Sequence, residues 1–199
     1  KVRAQGKQVL VLVPEIALSM QTMARFSAYF GEDVVMLHSG LSDQARTNAS
    51  YLAHHAKVSV VIGTRSALFT SMPNLGLIVV DEEHDLSFKQ QTQVLYCARD
   101  AAIYRAQLSK CLVLLGSATP SLESMHNVAT KRYQYVSLLE RYGDAKMPSF
   151  KLINTQSVRT KALMAPVLID AIGEHIAQKQ QVLLFLNRLG YARVYQCRD

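Results

Sequence analysis

Short apolar runs recur along this chain, and the segments between them have the spacing of helices. Each run is five or six residues long and consists largely of Val, Leu and Ile, with little alternation of polar side chains. Such strands are buried on both faces, which is typical of a parallel sheet covered by helices. The runs predicted as strands span residues 8–13, 34–38, 58–63, 75–80 and 111–115.

The segments between these runs carry apolar residues every three or four positions, which predicts amphipathic helices. Ser42 and Ser121 each precede such a segment, and serine favours the N-cap position of a helix. The predicted helices span residues 16–30, 42–57, 100–108 and 121–130. This alternation predicts an α/β fold with a parallel sheet, in which ligands bind at the carboxyl ends of the strands.

The character of the sequence changes after residue 136. Residues 137–160 are basic and lack periodicity, apart from a candidate short strand at 150–153. Beyond them, residues 163–178 have the pattern of an amphipathic helix and residues 181–186 that of a strand. We therefore expect three parts, which are a first lobe at 1–136, a connector at 137–160 and the start of a second lobe at 161–199.

The positive charge of the chain is concentrated in its last third. The formal net charge is +7, and residues 131–199 contribute +6 of it, with 11 Lys and Arg against 5 Asp and Glu. This suits a polyanion such as nucleic acid, and the alternative is a basic surface without a partner. No apolar run reaches the roughly 20 residues that cross a bilayer. With no signal-peptide pattern and only three cysteines, we expect a soluble, intracellular protein.

Four polar residues, Asp81, Glu82, Glu83 and His84, directly follow the apolar run at 75–80. A carboxylate at the end of a strand suits Mg²⁺, which prefers hard oxygen ligands. An adjacent Glu can orient or deprotonate the water that attacks a phosphate. The segment therefore has the form of a Walker B element. The alternative is an acidic turn that caps the strand.

The strand predicted at 111–115 ends in Gly-Ser-Ala-Thr-Pro. The hydroxyl groups of Ser117 and Thr119 are suited to linking a nucleotide site to an adjoining polymer site by hydrogen bonds. The alternative is a simple turn in which the hydroxyl groups cap the next helix.

The strand predicted at 58–63 ends in Gly-Thr-Arg-Ser. Arg65 is able to pair with a DNA phosphate, and the alternative is an ordinary surface arginine. Because Thr64, Asp81 and Ser117 all follow strand ends, we expect them to converge on one edge of the sheet.

The order of these segments resembles that of the superfamily 2 helicases. The matching segments are VPEIAL, LHSGLS, GTRSALF, DEEH, GSATPS and FLNRLGYA. The combination of DEEHD, FKQQ and YCARD is more narrowly similar to the replication-restart helicases of bacteria. The resemblance covers residues 5–199 and implies a RecA-like first lobe and the start of a second. It also implies an ATP-dependent DNA helicase that moves 3′ to 5′ and acts at stalled or branched forks.

The resemblance implies roles for individual residues. Asp81 and Glu82 would bind Mg–ATP and catalyse its hydrolysis, with Glu83 and His84 completing the catalytic set. Residues 117–119 match the coupling motif, in which Ser117 and Thr119 would contact the nucleotide site. Arg188 is a further candidate for nucleotide binding.

A loop rich in aromatic residues would contact DNA, by stacking on bases and by holding phosphates. For Phe88 and Tyr96 the alternative is packing beneath the loop. The residues expected at DNA are Arg65, Phe88, Lys89, Gln90, Gln91, Tyr96 and Arg99.

Two positions in the last segment are notable. Leu189 stands where the family has a second arginine, so any contact that this arginine makes is lost here. Cys197 matches the first ligand of a zinc-binding cysteine pair in the second lobe. A lone cysteine cannot hold zinc, so we expect zinc only in the intact protein.

The phosphate-binding loop of the family is missing from these 199 residues. Gly6-Lys7 is followed by Gln8 rather than by Ser or Thr, and no other Gly-Lys step occurs. Without that loop ATP should bind poorly, so we expect an internal piece that is inactive on its own. A parallel sheet that lacks a central strand would expose apolar faces, so we also expect poor solubility.

The resemblance implies ATP, Mg²⁺ and Zn²⁺ as cofactors. The implied partners are single-stranded and forked DNA, primosome proteins and single-stranded DNA-binding protein, with no membrane. The implied location is the bacterial cytoplasm, in association with the nucleoid. The alternatives are another superfamily 2 DNA translocase and a DNA-binding module without ATPase activity.

Overall fold

The computed structural model describes residues 1–18, 20–92, 94–138, 148–154 and 164–185. The chain divides into two compact units, Lys1–Ser137 and Leu138–Asp199. The sheet and the acidic motif both belong to the first unit.

The described residues contain seven strands, of which five form one parallel sheet. The strands are β1 (Gln8–Leu12), β2 (Val34–Leu37), β3 (Val60–Gly63), β4 (Leu75–Val80), β5 (Lys89–Gln90), β6 (Tyr96–Cys97) and β7 (Leu112–Leu115). The order across the sheet is β2–β3–β1–β4–β7, and β5 pairs with β6 in a small antiparallel hairpin. The parallel sheet confirms the predicted α/β fold.

Five α-helices accompany these strands in the described residues. They are α1 (Met20–Phe30), α2 (Asp43–His54), α3 (Ala98–Ser109), α4 (Leu122–Ala129) and, in the second unit, α5 (Pro166–Ala177). Ser42 and Ser121 cap α2 and α4, since their hydroxyl oxygens accept bonds from Ala45 N at 3.3 Å and Ser124 N at 3.2 Å. Both predicted caps are confirmed.

The first predicted helix begins later than its apolar spacing indicated. Glu15–Ala17 forms a 3₁₀ turn, and α1 starts at Met20 instead of at residue 16. Ile16 is 91% exposed, so its position in the apolar spacing does not reflect packing against the core.

Alternate residues of β1 pack into two separate hydrophobic cores. Leu10 and Leu12 join the core that contains alanines of α2 and α3, whereas Val9 and Val11 join the core that packs against α1. All five β1 residues are buried. The sheet therefore carries helices on both faces, and β1 is apolar on both sides because neither of its sides meets water.

The five parallel strands end level with one another. The residues in register at this end are Leu37, Gly63, Leu12, Val80 and Leu115. The residues that follow them are His38, Thr64, Val13, Asp81 and Gly116. The predicted convergence of Thr64, Asp81 and Ser117 on one edge of the sheet is therefore confirmed.

Gly63 permits a close approach at this edge. A Cβ atom there would lie 2.3 Å from the Leu37 carbonyl oxygen and 2.4 Å from the Ala67 Cβ. Any side chain would push β3 away from both β2 and the turn that follows it. Packing alone therefore explains the glycine of the Gly-Thr-Arg-Ser segment.

Two predicted strands of the second unit are wrong. Residues 150–153 and 181–185 are not strands, and Leu186 lies outside the described residues. A strand needs a hydrogen-bonded neighbour, and the described part of this unit contains no other strand to pair with. The predicted helix at 163–178 is present as α5, with Pro166 at its first turn, where a missing N–H costs nothing.

Candidate functional site

Asp81 and Glu82 stand at the carboxyl end of β4 with their side chains open to solvent. The Asp81 N–H donates to the Leu12 carbonyl at 2.9 Å, which holds the end of β4 against β1. Glu82 has a φ of +49°, a left-handed conformation that is uncommon outside glycine. The chain therefore turns sharply after Asp81, and the Glu82 side chain is 47% exposed. Both carboxylates are accessible to a ligand.

His84 joins the acidic motif to the loop after β7. Its Nδ1 lies 2.7 Å from Ser117 Oγ, and its Nε2 lies 3.3 Å from Thr119 Oγ1. Glu82 Oε2 is 3.6 Å from the same Nδ1. The structure thus brings together Glu82 and His84 of the acidic motif with Ser117 and Thr119 of the predicted coupling motif.

Glu83 points the opposite way, into the protein, and is only 3% exposed. Its Oε1 accepts a hydrogen bond from Ser121 N at 2.6 Å. Its Oε2 accepts bonds from Ser121 Oγ at 3.0 Å, Ser124 Oγ at 3.0 Å and Arg99 Nη1 at 3.1 Å. Three of these bonds fall on Oε2 and one on Oε1, so both oxygens of this buried carboxylate are held by the protein.

The buried pair of Glu83 and Arg99 stays ionised. Burial alone would raise the pKa of Glu83, but the hydrogen bonds from Ser121, Ser124 and Arg99 outweigh it and hold the pKa below its usual value. Burial likewise opposes the charge of Arg99, but Asp100 and Glu83 raise its pKa above the usual value. Asp100 Oδ1 lies 2.8 Å from Arg99 Nε. The two charges therefore compensate each other inside the fold.

Two residues expected to contact DNA lie inside the protein instead. Phe88 is 1% exposed, so the alternative of packing beneath the loop is correct for it. Arg99 is 6% exposed and its guanidinium is committed to the network around Glu83. Neither side chain is open to solvent. The open edge is the end of the sheet at which Asp81, Glu82 and His84 lie. Glu83, expected in the catalytic set, is likewise turned away from it.

Arg65 supports the loop that follows the acidic motif. Its Nη1 donates to the carbonyl oxygens of Ser87 and Lys89, both at 3.1 Å. These bonds fix the start of the β5–β6 hairpin against the turn Arg65–Phe69. The arginine therefore has a structural contact that neither interpretation of the sequence included.

The remaining loop residues are nearer to solvent. Lys89 and Gln91 are exposed, whereas Gln90 and Tyr96 are half-buried. The Tyr96 ring packs edge-on against Phe69 with 5.3 Å between ring centroids. Phe69 is 68% exposed and was not singled out in the sequence. The aromatic surface of this loop is therefore formed by Phe69 and Tyr96 instead of Phe88.

Sequence reasoning also missed the role of Ser121 and Ser124. Their spacing of three residues places both hydroxyls on one side of the first turn of α4. Ser121 was expected only to cap this helix, but it also binds Glu83. The signal available was the Ser-x-x-Ser pattern after the coupling motif, which does not by itself reveal the partner.

The donors at the open edge fit Mg²⁺ bound together with a nucleotide. The described residues contain no group of three or more His, Cys, Asp or Glu that would hold a metal by itself. Magnesium needs only one or two carboxylates when phosphates and water complete its ligands, and Asp81 supplies an open one. Arg188 and Cys197 lie outside the described residues. No helix in the described part of the chain is long and apolar enough to span a membrane.

The family model for DEAD/DEAH box helicases matches residues 1–128, which is more than half of the chain. The chain belongs to the DEAD/DEAH box helicase family. The parallel sheet, with its acidic motif at the end of β4, is accordingly the RecA-like fold of a helicase lobe. Members of this family are enzymes that use ATP and Mg²⁺.

Curated relatives match the DEAD/DEAH chain over almost its whole length. The replication restart protein PriA of Haemophilus influenzae is 45% identical over 194 residues, which are 98% of this chain and 27% of that protein. PriA of Rickettsia felis is 42% identical over 196 residues, and PriA of Bacillus subtilis is 40% identical over 202 residues. The chain spans 30% and 25% of these two proteins.

Among solved structures, the C-terminal domain of the DEAD-box protein Dbp5 is similar to this chain. The identity is 16% and the TM-score 0.46, over 63% of this chain and 69% of that domain.

Proposed function

We propose that the protein containing this chain is an ATP-dependent DNA helicase of replication restart, which moves 3′ to 5′ and acts at stalled or branched forks. The supporting observation is the open pair Asp81 and Glu82, joined through His84 to Ser117 and Thr119. The likeness to replication restart proteins along nearly the whole chain supports the choice of pathway.

The residues at the open edge divide the work of hydrolysis. Asp81 would hold Mg²⁺, which supplies charge neutralisation at the phosphates when it is bound with ATP. Glu82 orients the attacking water and accepts its proton at a carboxylate oxygen. His84 couples the nucleotide bound at this edge to the loop after β7, because both of its ring nitrogens lie against hydroxyl groups of that loop.

The hairpin supplies the DNA contacts in this proposal. Lys89 offers a positive charge to a phosphate, Gln90 and Gln91 offer amides, and Tyr96 offers a ring face. Arg65 contributes by fixing the loop and by adding positive charge beside it. Because such contacts displace counterions, binding to DNA should weaken steeply as the salt concentration rises.

Two residues of the proposal, Cys197 and Arg188, lie beyond the described residues. Cys197 begins a zinc site of the intact protein, and Arg188 contacts the nucleotide from the second lobe.

The proposal also covers the organisation of the protein and its partners. The first lobe, connector and second lobe have the bounds given in the sequence analysis. The partners are primosome proteins and single-stranded DNA-binding protein, in the bacterial cytoplasm and at the nucleoid. The 199 residues alone do not hydrolyse ATP, because they contain no Gly-Lys-Ser/Thr step.

The test is ATP hydrolysis by the intact protein with and without forked DNA, comparing wild type with Glu82→Gln. We expect hydrolysis to be stimulated by DNA and to fall by about 100-fold or more in the variant, as for loss of a catalytic base. Glu32→Gln is the matched control, because Glu32 is exposed and precedes β2, at the opposite end of the sheet.

Each other outcome contradicts a definite part of the proposal. Wild-type rates in Glu82→Gln would show that Glu82 only ends the strand. Absence of hydrolysis by the wild type with any DNA would favour a DNA-binding module without ATPase activity. Strand separation of the same forked DNA is measured alongside, and ATP hydrolysis without it would favour another DNA translocase of the same superfamily.

A further inference from the structure

Three separate segments meet at the buried carboxylate of Glu83. The first is the acidic motif itself, the second is the start of α4 with Ser121 and Ser124, and the third is the first turn of α3 with Arg99. Arg99 Nη1 also lies 2.7 Å from Ser121 Oγ, so the second and third segments touch each other as well. The Glu83 side chain thus joins the acidic motif, the start of α3 and the start of α4 into a single unit.

The carboxylate at the centre of this unit is closed off from ligands. It accepts four hydrogen bonds, and every buried side-chain polar atom in the described residues has a hydrogen-bond partner. Because Glu83 is only 3% exposed and both of its oxygens are held by the protein, it is out of reach of the substrate water and of a metal ion at the open edge. Its role must therefore be exerted through the residues on either side of it.

Both neighbours of Glu83 in the chain, Glu82 and His84, face the open edge. Glu82 has the left-handed backbone conformation, which persists only when its surroundings fix it. The fixing bonds run from Glu82 N to Asp81 Oδ1 at 3.1 Å, from Glu83 N to Gly116 O at 3.0 Å and from Asp85 N to Glu82 O at 2.8 Å. The Glu83 side chain anchors the same turn to the starts of α3 and α4.

We infer that Glu83 and Arg99 are positioning residues for ATP hydrolysis, which hold Glu82 and His84 in their working orientation against the loop after β7. The inference rests on the proposed function, and it replaces the expected catalytic role of Glu83 and the expected DNA contact of Arg99. A shift of about 1 Å in a catalytic group can cost about 100-fold in rate, so an anchor behind the site has a measurable effect on turnover.

The experiment uses the intact protein and three variants, Arg99→Met, the double variant Glu83→Gln with Arg99→Met, and Arg105→Met. The double variant removes both buried charges and leaves no unpaired one, so its melting temperature should recover relative to Arg99→Met. Arg105 is the matched control, because it lies on the same helix and is half-buried. Its Nη2 donates to the Thr70 carbonyl at 2.7 Å, apart from Glu83.

The decisive measurement is kcat per nucleotide-binding site, with sites counted by titration with a nucleotide analogue, so that misfolded protein is not counted. We expect kcat in the presence of DNA to fall at least tenfold in Arg99→Met and in the double variant, with the KM for ATP within twofold of wild type. Arg105→Met should keep the wild-type kcat.

Recovery of kcat together with melting temperature in the double variant would overturn the inference, because the network would then only stabilise the fold. A change confined to KM would overturn it as well, since the network would then serve nucleotide binding. If DNA does not stimulate ATP hydrolysis by the wild-type protein, both the proposed function and this inference are wrong. If the wild type and the variants all hydrolyse ATP at the same rate with DNA, only the inference is wrong.

Discussion

Strands β1 and β7 are built from the same kinds of residue but have different surroundings. The β1 residues are between 0% and 9% exposed, whereas Leu112 and Leu114 of β7 are 62% and 50% exposed. β1 has a hydrogen-bonded strand on each side, whereas β7 pairs with β4 alone in the described part of the chain. The apolar pattern therefore predicts that a segment forms a strand. The exposed fraction of its side chains depends on the elements that pack around that strand.

The largest expected difference comes from shortening one leucine in each strand. Leu10→Ala should lower the free energy of unfolding by about 2–5 kcal/mol, because it leaves a cavity in a fully packed core. Leu114→Ala should cost less than about 1 kcal/mol, because half of its surface is already in water. Urea unfolding of both variants tests this, and equal losses would show that β7 is as well covered as β1.

A second test concerns the polar residue that begins the buried strand. Gln8 is 2% exposed, and its Nε2 donates to the carbonyls of Ala53 at 2.8 Å and Val58 at 3.0 Å. Gln8→Leu should cost about 1–3 kcal/mol, because it removes the side-chain partner of the Val58 carbonyl and of the Asn74 N–H. Gln107→Leu, at an exposed site on α3, should stay within about 0.5 kcal/mol in the same unfolding assay.

A third, smaller effect should appear in the pH dependence of stability. Burial opposes ionisation of Asp33, but hydrogen bonds from Ser59 and Arg3 outweigh it and hold the pKa of Asp33 below its ordinary 3.8. A lowered pKa contributes stability that is fully present above the ordinary value and is lost as the pH falls through the lowered one. Stability should therefore decrease below about pH 4, and Asp33→Asn should reduce that dependence.

Thermal melting between pH 2 and pH 7 measures this effect. Asp43→Asn is the control, because the Asp43 side chain is fully exposed. If Asp33→Asn and Asp43→Asn give the same pH profile, the contacts of Asp33 with Ser59 and Arg3 do not hold in solution.

The smallest expected change in stability comes from charging the exposed face of β7. Leu114→Lys should alter the free energy of unfolding by no more than about 0.5 kcal/mol, as for an ordinary surface substitution. It should raise the solubility of the chain, because an edge strand with a lysine is a poorer template for association. Light scattering against concentration tests this, and a large loss of stability would mean that the face is covered.

The fold was largely predictable because it depends on pattern. The five apolar runs and the polar residues that end them were sufficient to place Asp81, Thr64 and Ser117 on one edge, since parallel strands present their carboxyl ends together. The two wrong strands, at 150–153 and 181–185, were also predicted from short, largely apolar runs. A strand also needs a hydrogen-bonded partner, and the described part of the second unit contains no other strand beside them.

The site was predictable only in part, because a motif names residues and does not orient them. Glu82 and Glu83 are chemically identical and adjacent, yet one faces solvent and the other is buried under four hydrogen bonds. That difference depends on Arg99 and Ser121, which lie 16 and 38 residues further along the chain. Contacts of this range are set by packing, which no local spacing reveals.

The level ends of the five strands restrict how this chain can tolerate changes in length. One residue inserted into β4 could keep the ladder of hydrogen bonds, yet it would advance Asp81 by about 3.3 Å. It would also turn Asp81 to the opposite face, because side chains alternate along a strand. Insertions and deletions are therefore expected to accumulate in the turn of the hairpin and at the opposite end of the sheet. The number of residues in each strand should stay constant.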